Sequence, residues 1–408
     1  VSEATASAPV RRRPRDRRET IEAAAGVAFA QRGYHMVSMQ DVAESVGITA
    51  AALYRHFDTK YDLFRGVVMG LATRLEASAV AVHEPEDPDE ASARADLDAV
   101  IEAITAATVS MRAAGGIYRW ESRYLESDDR LALRESFASL RRRLAGPVGV
   151  LRPDLDEATL DLACLAALSV IASVTLHRVA VSPGQLRSLV HDAAIRVLER
   201  VRGPVPEPAP APDTAEAAPT PRRRKPQLAH ASIALFAERG YHDVSIEEVA
   251  TAVGLTPSGV YRHFSGKADI LLDACARAST VLEQAAGDAL AAPDARDGLH
   301  ALAAAYIGFA VDDRALMEVY TADVGALDDE DQKRLRRLQR AHVDDWVDLL
   351  GRVRTDLDQR ELRVLVHAGF TAVADLSVAL RHSTGADARA WIAPVLDAVL
   401  GVGAPAAD

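Results

Sequence analysis

The sequence predicts an all-α protein built from two tandem units of similar design. Three observations predict it: an internal repeat at about half the chain length, helical periodicity almost everywhere outside one seam, and no run that alternates convincingly like a strand. Laying Ile21 to Phe64 over Leu228 to Leu271 at a constant shift of 207 residues gives 20 identities in 44 positions without a gap. Solenoid repeats recur every ~20–50 residues, so a shift this long marks one duplicated unit rather than an array. The seam, residues 203–221, is so dense in proline that helix is excluded and an extended, semi-rigid spacer is expected.

Composition bounds the function. The chain has 408 residues, 49% hydrophobic and 26% charged, which is enough for more than one core. Its 47 basic and 59 acidic residues leave a net charge of -12, which excludes a protein that coats nucleic acid by bulk charge but leaves room for local basic patches. Cys164 and Cys275 form neither a disulfide framework nor a zinc spacing, so they read as core filler in a reducing cytoplasm. The arginine cluster Arg11 to Arg18 is followed by Glu19 and Glu22, so no segment reads as an export signal. Leu162 to Leu176, the longest apolar stretch, falls short of the ~20 residues that span a bilayer and reads as a buried helix, so no membrane partner is expected. No nucleophile elbow, zincin, Walker or dinucleotide fingerprint occurs, so no enzyme, metal or cofactor is expected.

Each element of the repeat follows from local chemistry. Ile21, Ala24, Ala25, Ala28 and Phe29 share one helical stripe, and Gly33 stands where a left-handed cap ends the helix. Ser38 opens a capping box with Asp41, as Ser245 does with Glu248, and Met39, Val42, Ala43 and Val46 face inward from a short second helix. Gly47 and Gly254 stop that helix, and Thr49, or Thr256 followed by Pro257, caps a third whose Leu53 and Phe57 (Val260 and Phe264) point inward. Two short helices around a glycine turn make a helix-turn-helix.

The third helix carries the chemistry. With Leu53 and Phe57 buried, the small residues Ala50, Ala51 and Ala52 form a first turn that can approach base edges in a major groove. Tyr54, Arg55 and His56 then reach sideways to phosphates. Lys60 and Lys267 begin the next helix and are expected to hold a further phosphate. The basic stretches Arg11 to Arg18 and Arg222 to Lys225 suit backbone or minor-groove contact. Metal binding by His35, His56, His242 and His263 is disfavoured because further ligands at metal spacing are missing.

These residues resemble the tetracycline-repressor (TetR) family of bacterial regulators, over Ile21 to Phe64 and again over Leu228 to Leu271. The likeness rests on Phe-x-x-x-Gly-Tyr, Val-Ser, Val-Ala-x-x-Val-Gly and Leu-Tyr-Arg-His-Phe with Lys60, and a tandem arrangement is suggested further by Trp120 to Leu125 and Asp128 to Arg130. The resemblance implies base-edge roles for Gln40, Thr49, Ala50, Ala51 and Tyr54 and phosphate roles for Ser38, Arg55, His56 and Lys60. In the second copy the same positions are Glu247, Thr256, Pro257, Ser258 and Tyr261, with Ser245, Arg262, His263 and Lys267. Glu247 in place of Gln40 puts a carboxylate near DNA, which accepts from a cytosine amine or weakens the second reader.

The resemblance also implies the organisation: heads at residues 15–70 and 222–279, helical regulatory domains at 71–202 and 280–402, and the linker at 203–221. Family members dimerise through their last two helices. Here those segments are Glu157 to Arg178 with Gln185 to Val201, and Arg360 to Arg381 with Ala388 to Leu400, so the chain is expected to be its own pseudo-dimer, with higher oligomers left open. Leu160, Cys164, Leu168 and Ile171, and Val364, His367, Phe370, Thr371 and Val378, form the expected seams. Effector pockets are expected at Tyr118, Trp120, Glu121, Tyr124 and Phe137, and at Tyr306, Phe309, Tyr320 and Trp346, for which a plain core stripe is the competing explanation. The expected function is a cytoplasmic, nucleoid-associated transcription regulator, a repressor, that binds an asymmetric double-stranded operator and is released by an apolar small molecule. The alternative is a small-molecule-sensing scaffold acting through protein partners.

Overall fold

The computed structural model describes residues 14–86, 88–208, 223–323 and 327–402. The first unit begins with α1 (Pro14–Arg32), α2 (Met39–Ser45) and α3 (Ala50–Leu53). It continues through α4 (Lys60–Val80), α5 (Glu90–Ser110) and α6 (Ile117–Trp120), a 3-10 turn over Glu121–Tyr124, then α7 (Ser127–Leu151), α8 (Glu157–Ala172) and α9 (Pro183–Arg200). The second unit repeats the order with α10 (Arg224–Arg239), α11 (Ile246–Ala252), α12 (Pro257–Tyr261), α13 (Lys267–Leu290), α14 (Ala295–Asp312), α15 (Arg314–Asp323), α16 (Asp329–Val353), α17 (Gln359–Ala379) and α18 (Gly385–Leu400). Among the described residues there is no strand.

Local sequence sets the ends of these helices. Both capping boxes form, Ser38 with Asp41 and Ser245 with Glu248. Gly33 and Gly240 end the first helices at φ of 78° and 92°, a left-handed backbone that a side chain would strain. The two third helices are capped differently: Thr49 accepts from Ala52 N at 3.2 Å, whereas the Thr256 hydroxyl pairs with Ser258 Oγ at 2.9 Å, because Pro257 already preorganises that start.

Hydrophobic packing divides the molecule into three cores, one in each head and one shared by both regulatory regions. The helix α4 crosses from head to regulatory core without a break: Leu63, Phe64, Val67, Val68 and Leu71 pack in the head and Leu75 and Ala79 in the shared core. Beyond the heads the repeat shift becomes 202 residues, aligning Ser127 with Asp329 and Glu157 with Gln359 at helix starts. Arg152 and Arg354 show this register: each forks onto an aspartate two residues on, Asp154 or Asp356, and donates to carbonyls at the end of its unit's last helix.

The halves join through α8 on α17, with α9 and α18 alongside, which makes the chain an intramolecular pseudo-dimer. The stretch from Glu157 to Thr175 and the helix α17 are both long and apolar, yet 72% and 61% of their apolar windows are buried within the bundle. Of the expected seam, Cys164, Ile171, Val364 and Thr371 are buried, but Val378 is 45% exposed because it turns away near the end of α17. Arg196 crosses the junction to the carbonyls of Ala398 and Val399. The linker starts packed: Thr159 donates to Gly203 O and Ser383 to Pro206 O, while residues 209–222 lie outside the described set.

Candidate nucleic-acid interface and effector cavity

In each head a buried stripe on the first helix carries the second and third helices. Leu53 and Phe57, or Val260 and Phe264, are buried beneath the third helix, and this turns the rest of it outward. Tyr54 is 49% exposed and Tyr261 57%, although both are large aromatic residues. Arg55, Arg262 and His263 are exposed beside them, as are Thr49, Ala51, Thr256 and Ser258, while Ala50, His56 and Pro257 are half-buried. Ser38 and Ser245 are exposed helix caps. On the second helices, Gln40 donates to Glu44 Oε1 at 2.6 Å, and Glu247 is exposed.

The lysines and arms take other places than the sequence suggests. Lys60 Nζ donates to His35 O at 3.3 Å and sits 4.5 Å from the Tyr34 ring centre. Lys267 Nζ donates to the carbonyls of Tyr241, His242 and Val244 and lies 4.7 Å over the Tyr241 ring. Both ammonium groups therefore neutralise carbonyls in the turn after the first helix. The end of each arm is helical, not extended: Arg18 lies 4.4 Å over Phe57 and Lys225 5.0 Å over Phe264. Arg18 also donates to His56 O, and Lys225 pairs with Asp273 at 2.8 Å. These cations brace the third helix from behind. Arg11 to Arg13 and Arg222 lie outside the described residues.

The two heads touch. His35 and His242, equivalent residues of the two copies, approach to 5.1 Å between ring centres. Tyr124, in the 3-10 turn after α6, stacks on Tyr34 at 5.4 Å and meets His35 edge-on at 4.6 Å. The Arg123 guanidinium reaches the other head, 3.9 Å from where a Cβ on Gly240 would stand. Burial, and then the facing His242, hold the His35 imidazole below its ordinary value.

The family model for bacterial regulatory proteins of the tetR family matches residues 21–67 and again 228–274, one match for each head. Each head is a DNA-binding head of the tetR type. The transcriptional activator FasR of Mycolicibacterium smegmatis is 40% identical over 58 residues, 14% of this chain and 26% of FasR. The repressor KstR2 of Rhodococcus jostii is 26% identical over 114 residues, 28% of this chain and 54% of KstR2. The chain thus spans about a quarter and about half of these relatives' lengths. The solved ketosteroid transcriptional regulator KstR2 of Mycobacterium tuberculosis aligns with a TM-score of 0.39 at 19% identity, over 46% of this chain and 97% of that one. One of these two curated relatives is thus named an activator and the other a repressor.

In the regulatory region of the chain a cavity of about 370 Å³ lies among α13, α14, α15, α16 and α17. Arg119 of α6 and Leu176 close it from the first unit. Of the expected pocket residues, Tyr306, Phe309 and Tyr320 line it. Trp346 stands behind the wall, fully buried, and donates from Nε1 to His342 Nε2 at 3.2 Å. Of the first unit's candidates, Tyr118, Tyr124 and Phe137 do not line this cavity. Tyr118 packs on Phe137 at 4.7 Å, and Tyr124 belongs to the joint between the heads. The side chains of Trp120 and Glu121 lie outside the described residues.

Several wall residues were missed. Cys275, read as filler, lines the cavity, as do Gln339 and His342. The 202-residue register would have exposed them: Phe137, Leu140 and Leu144 of α7 correspond to Gln339, His342 and Trp346 of α16. An apolar face in one unit has gained polar and indole side chains in the other. No signal in the sequence could bring Arg119 to the cavity, since it arrives from the other half. It pairs with Asp375 of α17, which also accepts from Ser169 Oγ of α8. Nearby, His177 and His367 stack across the junction at 4.8 Å.

Proposed function

We propose that the chain is a DNA-binding transcription regulator in which one polypeptide occupies one operator with two non-identical heads. The observation that carries the reading is the pair of Tyr-Arg segments exposed at the ends of the third helices, in heads tied to each other at His35 and His242 and fused to one shared core. Tyr54, Arg55 and His56, with Tyr261, Arg262 and His263, supply phosphate and groove-edge contacts. Ser38 and Ser245 add further phosphate contacts. Gln40, Thr49, Ala50 and Ala51, against Glu247, Thr256, Pro257 and Ser258, supply base discrimination. Lys60 and Lys267 add a phosphate contact in each head and also hold the turn after its first helix. Because the two readers differ in sequence, the operator is asymmetric, with half-sites roughly 34–36 Å apart.

Regulation follows from the cavity. A ligand that favours an arrangement of the heads no longer matched to successive grooves releases the DNA, and such a protein acts as a repressor. Mobility shift on the DNA upstream of its own gene tests the reading. Saturable, salt-sensitive and sequence-selective binding supports it; a protein that binds no such fragment while capturing a protein partner supports the scaffold alternative.

A further inference from the structure

Among the described residues, the walls of the cavity carry two arginines, Arg119 and Arg336, and no aspartate or glutamate. Burial holds His342 and His367 down to about 4, so both imidazoles are neutral at physiological pH. A mostly apolar space holding cations and no facing acid disfavours cationic ligands and suits an apolar body with an anionic end. The two arginines are not equivalent. Arg336 lies on the exposed side of α16 and binds the Gln332 side-chain oxygen. Arg119 lies at the junction with its side chain 12% exposed, and it comes from one unit while its carboxylate partner, Asp375, comes from the other. A guanidinium offers five donors in a planar fork, so a second carboxylate can compete for it.

We propose that this cavity takes an apolar anion of the carboxylate class, whose charged end competes with Asp375 for Arg119 across the junction between the two units. This inference rests on reading the cavity as the effector site and names the chemistry of its ligand. Its consequence lies in the segment that bears Arg119. Within five residues the chain carries Tyr124, packed on Tyr34 and His35, and Arg123, beside Gly240 of the other head. A ligand seated in the second unit thereby acts on a segment of the first that touches both heads.

The test is calorimetric titration of the full chain with octanoate and with 1-octanol, probes of equal length that differ in charge. Octanoate is expected to bind about ten-fold tighter, the size of one charge-assisted hydrogen bond. Asp375→Asn should tighten octanoate severalfold and leave 1-octanol unchanged. Arg119→Gln should abolish the preference and Arg336→Gln should keep it. Equal binding of the two probes, equal tightening of both in Asp375→Asn, a preference that depends on Arg336 alone, or no saturable binding of either probe overturns the proposal. Promoter binding by the same samples without ligand separates the two readings: its absence refutes the regulator, whatever the probes do.

Discussion

His35 and His242 face each other at 5.1 Å between ring centres, and through this contact the two DNA-reading heads are joined directly as well as through the core below them. The joint is built from one turn of each head and one turn of the first regulatory region, since Tyr124 packs against His35 from the side. Head spacing is therefore a property of side chains at the junction, and a ligand that moves the segment carrying Arg119 and Tyr124 acts on it.

Loosening that joint should weaken DNA binding without weakening the fold. Both histidines are exposed, so the double change of His35→Ala and His242→Ala should cost little stability, within about 0.5 kcal/mol by the usual surface range. Operator affinity should fall severalfold because the heads lose their preorganised spacing. The slope of affinity against salt should not change, since no phosphate contact is removed. Thermal melts and a salt series of binding isotherms read both quantities.

Phosphate contacts should behave in the opposite way. Arg55→Ala or Arg262→Ala should weaken binding to all sequences alike and reduce the salt slope by about 1. Changes at Ala50, Pro257 or Ser258 should instead alter sequence preference. A selection of binding sites with each variant distinguishes the two classes.

Acid should destabilise the regulatory core. Burial lowers His342 and His367 to about 4 and His177, also pressed by His367, to about 2, against an ordinary value of 6.5. The unfolded chain takes up these protons first, so stability is full above 6.5 and is lost as pH falls from there toward 4. Melting temperature should fall over that window. His342→Leu, which installs the residue that the first unit has at Leu140, should remove part of the loss.

One buried ion pair holds the first unit alone. Arg143 forks onto Asp96 at 2.5 and 2.8 Å, with both side chains nearly inaccessible, and the 202-residue register places Asp345 where Arg143 would recur. Asp96→Ala should destabilise by about 3–5 kcal/mol because it leaves the guanidinium buried and unpaired. Denaturant unfolding measures it.

Much of this architecture was legible in the sequence. The capping serines, the glycines after the first and second helices and the periodic aromatic core fixed the heads, because such signals are local and act within a few residues. The bundle that joins the halves was implied by the family resemblance, which placed it on the last two helices of each unit. What could not be read is what depends on distant approach. The carbonyls that Lys60 and Lys267 meet lie 23 to 26 residues away in sequence, and Arg119 has no sequence neighbour that marks it as a wall of the other unit's cavity. The sequence raises His35 and His242 only as metal ligands, because the meeting of equivalent residues across two units leaves no mark on either copy.

The pseudo-dimer has its own test. A protease site inserted within residues 209–222 should yield two fragments that stay together through size exclusion, because α8 and α9 share one core with α17 and α18. Separation of the fragments without denaturant would show the linker to be what holds the units together.

The central claim, two unlike readers in one chain, is tested most directly by footprinting the native promoter with systematic base exchange in each half-site. The account predicts one chain per site, two half-sites of different sequence, and altered preference in one half only when Ala50 is changed and in the other only when Ser258 is changed. A perfect palindrome, equally sensitive in both halves and affected identically by both substitutions, would contradict it.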